Sequence, residues 1–127
     1  MNSNFFQNEL KTLLNRQTAF KKATYAGRAA FLPLSGNRRA RIEFVTRGTA
    51  DHYEALQITI LDKNLGRIDR LWLRFKDYCA SQKGGCSGTV IPHIWVYNGK
   101  AEWYRAPSQT ELSDLAKDAH DYVMVFA

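Results

Sequence analysis

The pattern of hydrophobic and polar positions predicts a helix at each end of the chain. Over residues 4–22, hydrophobic side chains recur at helical spacing: Phe6, Leu10, Leu13, Leu14 and Phe20. Residues 108–126 show the same spacing, and Ser108 with Glu111 matches a capping box at the start of this helix. Residues 121–126 are also compatible with a short last strand because they include β-branched residues, but we favour the helix.

Between the two helices the hydrophobic period changes to two residues, which is typical of half-buried strands. We expect about five strands within residues 39–105, covering 39–47, 53–61, 67–75, 89–97 and 100–105. Asn98-Gly99 is the strongest hairpin signal in the chain, since both residues tolerate the backbone of a tight turn. Residues 24–37 are predicted to be a connection, with a short edge segment at residues 31–34.

Residues 67–78 fit two patterns, because their hydrophobic side chains suit either one helix face or an alternating strand. We favour the strand, since a glycine-containing turn precedes it and no helix cap does. The order of elements then predicts one α+β domain spanning residues 1–127. In that fold an antiparallel meander carries its helices on one face.

Alternation along the strands separates two faces of the predicted sheet. The inner face, which we expect to pack against the helices, carries Ile42, Phe44, Leu56, Ile58, Ile60, Leu71, Leu73, Phe75, Ile94, Val96 and Trp103. The opposite side, called the outer face from here on, carries Arg39, Arg41, Glu43, Arg47, Gln57, Thr59, Arg70, Trp72, Arg74, Trp95, Tyr97 and Tyr104.

The net charge of +6 over 127 residues is unevenly distributed. Residues 1–50 hold nine Lys or Arg and two acids, a net of +7, whereas residues 51–127 hold nine and ten, a net of −1. With 45% hydrophobic and 24% charged residues, the composition is that of a globular protein and not of a disordered chain. We find neither a signal peptide nor a membrane-spanning apolar run, so we expect a cytoplasmic protein with no membrane partner.

Charge and aromatic content together indicate a non-catalytic binding module. Arginine forks contact phosphates and aromatic rings stack on bases, so the outer face suits single-stranded nucleic acid. The candidate binding residues are Arg39, Arg41, Arg70, Trp72, Arg74, Trp95 and Tyr97, helped by Lys21, Lys22 and Arg38. The alternative is that a helix or a second subunit covers the aromatic face, which would make the chain a protein-interaction or homodimeric module.

Signatures of catalysis and of metal binding are weak. His93, Glu102 and Tyr104 share a predicted hairpin face and are the candidates for an enzyme or a small-ligand site, but no nucleophile motif stands beside them. Six residues separate Cys79 from Cys86, a spacing that matches neither a redox pair nor half of a zinc site completed by His52 and His93. We expect two reduced thiols, with a reversible disulfide as the alternative, and no cofactor, metal or catalytic residue.

Short aromatic motifs in the second half of the chain carry a resemblance. Pro92-His93-Ile94-Trp95, Glu102-Trp103-Tyr104 and Asp121-Tyr122-Val123 with Val125-Phe126 resemble small uncharacterised proteins of gut Firmicutes, associated with mobile or conjugative elements. The resemblance spans residues 39–126, and the basic N-terminal segment departs from it. It implies a bacterial, cytoplasmic accessory protein and attaches no activity to any residue.

Overall fold

The computed structural model describes the backbone of residues 3–46, 52–79, 95–97, 103–105 and 109–127. It describes side chains within residues 7–46, 54–75, 77–78 and 110–127. Within the described residues, helices near both ends and seven strands of one sheet between them make this an α+β fold. The predicted fold class is therefore confirmed.

Five consecutive strands form an antiparallel meander in chain order. They are β1 (Thr24–Ala26), β2 (Ala29–Pro33), β3 (Arg38–Thr46), β4 (His52–Asp62) and β5 (Gly66–Arg74). The meander begins earlier than predicted, because the predicted connection at residues 24–37 contains β1 and β2. Their strands are too short for alternation to stand out, and Gly27 makes the tight β1–β2 turn with a φ of +59°.

The last two strands were expected to continue the meander, and the structure differs from this expectation. The strand β6 (Trp95–Tyr97) pairs in parallel with the first residues of β4, and β7 (Trp103–Arg105) pairs with β6. A helix, α2 (Phe75–Cys79), follows β5 directly, so the chain turns away there without a hairpin. Residues 67–78 thus contain both predicted alternatives in succession, first a strand and then a helix.

The terminal helices differ from their predicted bounds. Helix α1 (Ser3–Leu14) is shorter than residues 4–22, and a separate 3₁₀ helix covers Thr18–Lys22. The backbone N–H of Gln17 donates to the Leu14 carbonyl at 3.0 Å, a tightened i→i+3 turn that ends α1. Helix α3 (Gln109–Met124) continues through most of residues 121–126, so the helical interpretation of this segment is correct.

The core lies between the inner face of the sheet and the helices. Ile42, Leu56, Ile58 and Ile60 are fully buried against leucines of α1 and α3, and Phe75 of α2 joins the same cluster. Phe44 and Leu73 pack against this cluster from its margin. Alternation therefore assigned these strand positions to the correct face, because hydrophobic burial fixes the register of a one-sided sheet.

Two register shifts change which side chains meet across the sheet. Val45 pairs with Ala55 and Thr46 with Tyr53, which leaves Glu54 without a partner on β3. Ile60 pairs with Asp69 and Leu61 with Arg67, which leaves Ile68 without a partner on β4. Such bulges turn a side chain away from simple alternation. They govern the arrangement of charge on the outer face.

Candidate nucleic-acid interface

The pairing register brings the arginines of three neighbouring strands onto the outer face in cross-strand rows. Arg41, Thr59 and Arg70 form one row, and Glu43, Gln57 and Trp72 form the next. Neighbours in such a row lie about 5 Å apart, close enough for their side chains to interact. The prediction that Arg39, Arg41, Arg70, Trp72 and Arg74 share one face agrees with this register.

A hydrogen-bonded chain crosses the three strands and fixes the indole ring. The guanidinium of Arg41 donates to Glu43 Oε1 from Nε at 3.1 Å and from Nη2 at 2.9 Å. Gln57 Nε2 donates to the same oxygen at 3.0 Å, and Gln57 Oε1 accepts the indole N–H of Trp72. Because each amide atom of Gln57 has a different partner, the chain determines the orientation of both Gln57 and Trp72.

Arg74 contacts the Trp72 ring as well. Its guanidinium carbon lies 5.2 Å from the centre of the Trp72 ring, within the range of a cation–π contact. Its Nη1 also donates to Glu54 Oε1 at 3.3 Å, and the Glu54 side chain is only 8% exposed. The β4 bulge therefore supplies a buried carboxylate to Arg74, which fixes the guanidinium beside the indole.

Positive charge exceeds negative charge among the described residues of the outer face. Five arginines stand against two glutamates, Glu43 and Glu54, a net of +3: Arg39, Arg41, Arg67, Arg70 and Arg74. The glutamates pair with Arg41 and Arg74, while Arg39 lies 4.7 Å from the Phe31 ring centre and Arg70 Nε donates to Thr59 Oγ1 at 3.4 Å. Aromatic and hydroxyl partners leave a positive charge uncompensated, so this face attracts anions.

Trp72 presents aromatic surface amid this charge. The residue is 38% exposed, which makes it one of five exposed large hydrophobic residues in the described part of the chain. Thr59, predicted to be an open polar position, is instead only 3% exposed and accepts the Arg70 hydrogen bond. On the described part of the outer face, Arg70 thus bonds to a buried hydroxyl while the Trp72 ring stays accessible.

The other predicted binding residues lie away from this group. Lys21 and Lys22 are exposed on the 3₁₀ helix, whose Phe20 packs into the core against His120 of α3, so they belong to the helical side of the sheet. Trp95 and Tyr97 lie on β6, beside the start of β4 rather than beside β5. The structure therefore brings together five of the nine predicted residues.

Several predicted candidates lie outside the described residues. They include Arg47, His93, Glu102, Cys86 and the hairpin turn at Asn98-Gly99. Among the described residues there is no group of three His, Cys, Asp or Glu side chains placed to hold a metal ion. No helix in the described part of the chain is long and apolar enough to cross a membrane.

Sequence reasoning missed three residues of the outer face. Arg67 joins the outer face only because the bulge at Ile68 shifts its register, and Glu54 contacts Arg74 only because of the bulge on β4. Alternation contains no signal for either bulge. Phe31 lies on β2, whose five residues Ala-Ala-Phe-Leu-Pro are all apolar, so alternation does not assign Phe31 to either face.

Comparisons with protein-family models, with curated proteins and with solved structures find no match to this chain.

Proposed function

We propose that the protein binds single-stranded nucleic acid on the outer face of its sheet, without catalysing a reaction. The observation that carries this proposal is the exposed Trp72 ring, held by Gln57 and Arg74 within a face that has an excess of positive charge. A base can stack on such a ring while arginines contact the phosphates on either side.

Charge accounts for affinity in this proposal. Arg39, Arg67 and Arg70 have no carboxylate partner among the described residues, and they lie in the two cross-strand rows on one side of the Trp72 row. Neutralising three phosphates of a single strand gives a log–log salt slope of about −2, since each contributes about −0.7. Affinity should then fall by roughly twentyfold between 50 and 200 mM salt.

Orientation of the ring accounts for a preference for single strands. Trp72 is immobilised by a hydrogen bond at its N–H and by a cation on its face, so a stacking base meets an ordered ring. Bases within a duplex are already stacked and do not offer their faces to a protein. Stacking on one aromatic side chain is worth about 1–3 kcal/mol per base.

A homodimer that buries the outer face is the alternative interpretation of an exposed tryptophan. The charge argues against it, because two copies would bring the arginine excess of one face onto that of the other. An anionic partner meets no such repulsion. Light scattering at high protein concentration, with Trp72→Ala as the comparison, tests the dimer directly.

The proposal is tested by titrating the chain into labelled single-stranded DNA and RNA at several salt concentrations. We expect Trp72→Ala to weaken binding about five- to a hundredfold and Trp72→Phe to weaken it much less, because phenylalanine still stacks. Binding without a salt dependence would contradict the proposal, as would no binding at 50 mM salt.

A matched pair of variants separates the outer face from overall charge. Arg70→Gln and Lys11→Gln each remove one positive charge, but Lys11 is exposed on α1, on the helical side of the sheet. We expect Arg70→Gln to reduce the salt slope by about 0.7 and Lys11→Gln to leave it unchanged. Equal effects would mean that binding is diffuse and does not use this face.

A further inference from the structure

A surface depression lies at one end of the outer face, where two hairpin turns meet. The β2–β3 turn is closed by the Leu34 backbone N–H, which donates to the Arg38 carbonyl at 3.0 Å. The neighbouring β4–β5 turn is attached to it by the Lys63 backbone N–H, which donates to the Asn37 carbonyl at 2.8 Å. These backbone bonds hold the walls of the depression in a fixed relation.

The residues that line the depression have a net positive charge. It has a volume of about 560 Å³ and is lined by three cations, Arg38, Arg39 and Lys63, and by one carboxylate, Asp62. Asp62 Oδ1 accepts two backbone hydrogen bonds of its own turn, from Asn64 at 2.8 Å and from Leu65 at 3.1 Å. These bonds hold the Asp62 carboxylate in its own turn without removing its charge, so the three cations and one carboxylate of the lining leave a net charge of +2 for an anionic ligand.

The depression also has an apolar part. Pro33 and Leu61 contribute to its lining, and both lie in the cross-strand row that contains Arg39. Small-molecule sites in proteins commonly combine apolar walls with a few charged groups in about 300–1,000 Å³. An anion that carries a flat organic group fits this combination better than an inorganic anion does.

We propose that the depression binds a terminal phosphate monoester together with the nucleoside that carries it. At neutral pH a monoester carries nearly two negative charges, whereas an internal phosphodiester carries one. A site with three cations thus distinguishes the end of a strand from its interior. Arg39 belongs both to the depression and to the outer face, so binding of a strand end rests on the proposed function. Binding of a free nucleotide does not rest on it.

The test compares one oligonucleotide sequence in four forms: with a 5′-phosphate, with a 3′-phosphate, with hydroxyl ends and as a closed circle. We expect a phosphorylated end to bind about tenfold more tightly than the hydroxyl or circular form, the effect of one additional charge-assisted contact. Equal affinity for all four forms would overturn the inference. The proposed function would survive that result, because the circle would still bind to the outer face.

Lys63→Gln assigns the effect to the depression, with Lys11→Gln as the control of equal charge. The backbone of Lys63, and not its side chain, makes the bond to Asn37, so the substitution leaves the turn intact. We expect Lys63→Gln to abolish the preference for a phosphorylated end and Lys11→Gln to retain it. A preference that survives in Lys63→Gln and in Arg38→Gln would refute the assignment.

A nucleoside monophosphate, titrated alone, separates the free ligand from the strand end. The monophosphate could bind saturably, and less tightly to Lys63→Gln, while the protein binds no oligonucleotide. That result would support the depression as a binding site and would refute the proposed function. Failure to bind the monophosphate, combined with no preference among the oligonucleotides, would remove the depression as a site.

Discussion

Glu9 on α1 makes the stability of the fold depend on pH. Its side chain is half-buried, and its Oε2 is buried with no hydrogen-bond partner among the described residues. Burial raises the pKa of this carboxyl from 4.5 to about 7, because the ionised form loses water that nothing replaces. Replacement by glutamine keeps the shape of the side chain and removes its ionisation.

The sign and the size of the effect on stability follow from the raised pKa of Glu9. The pKa is higher in the folded state than in the unfolded state, so the fold is most stable below pH 4.5 with respect to this group and loses stability as the pH rises to about 7. At about 1.36 kcal/mol per pH unit the full displacement corresponds to at most ~3 kcal/mol. Solvent screening of a half-exposed group reduces this to roughly 1 kcal/mol.

Denaturant unfolding of the parent chain and of Glu9→Gln at pH 5 and pH 8.5 measures the effect. We expect Glu9→Gln to be more stable than the parent by roughly 1 kcal/mol at pH 8.5 and by much less at pH 5. Groups that titrate elsewhere act on both proteins and cancel in the difference. Asp114→Asn, which removes an exposed carboxylate from α3, controls for the loss of a negative charge. A Glu9→Gln difference that is the same at both pH values would refute the reasoning.

Three further substitutions test how the elements are held together. Tyr122→Phe removes the hydroxyl that donates to Asp69 Oδ2 at 2.7 Å, so the free energy of unfolding should fall by about 1 kcal/mol. In a double-mutant cycle, Asp69→Ala should add little to that loss, because the shared hydrogen bond is already absent. Gly66→Ala should lower the free energy of unfolding by about 1 kcal/mol, because Gly66 has a φ of +76°, which is unfavourable for alanine. A Cβ at this position meets no atom within 4 Å, so the expected loss comes from backbone strain alone. An unchanged free energy of unfolding would mean that the turn relaxes. Leu13→Ala should lower the free energy of unfolding by about 2–5 kcal/mol, since Leu13 is fully buried between the helices and the sheet, and a loss below 1 kcal/mol would place it outside the core.

The elements that the sequence predicted well are those with a long, one-sided pattern. Ile42, Leu56 and Ile58 lie on long strands that are buried on one side, so alternation alone assigned their face. The C-terminal helix was predictable for the same reason, since its hydrophobic stripe continues over four turns.

The features that could not be predicted depend on a single residue or on tertiary contacts. The bulges at Glu54 and Ile68 each insert one residue without changing the local composition, so no periodicity signals them. They nevertheless decide that Glu54 reaches Arg74 and that Arg67 pairs with Leu61 on the outer face. The early end of α1 is a comparable case, because a continuous hydrophobic stripe through Phe20 is compatible with either a straight or a broken helix.

The central claim is that the outer face is the binding surface, and the indole N–H resonance of Trp72 tests it most directly. This proton is donated to Gln57 Oε1, so a base that stacks on the ring must shift its resonance in a ¹H–¹⁵N spectrum. On addition of single-stranded DNA we predict shifts of this resonance and of the Nε–H resonances of Arg39, Arg70 and Arg74, with the amides of α3 unmoved. Shifts confined to the helices, or none at a saturating concentration, would contradict the account.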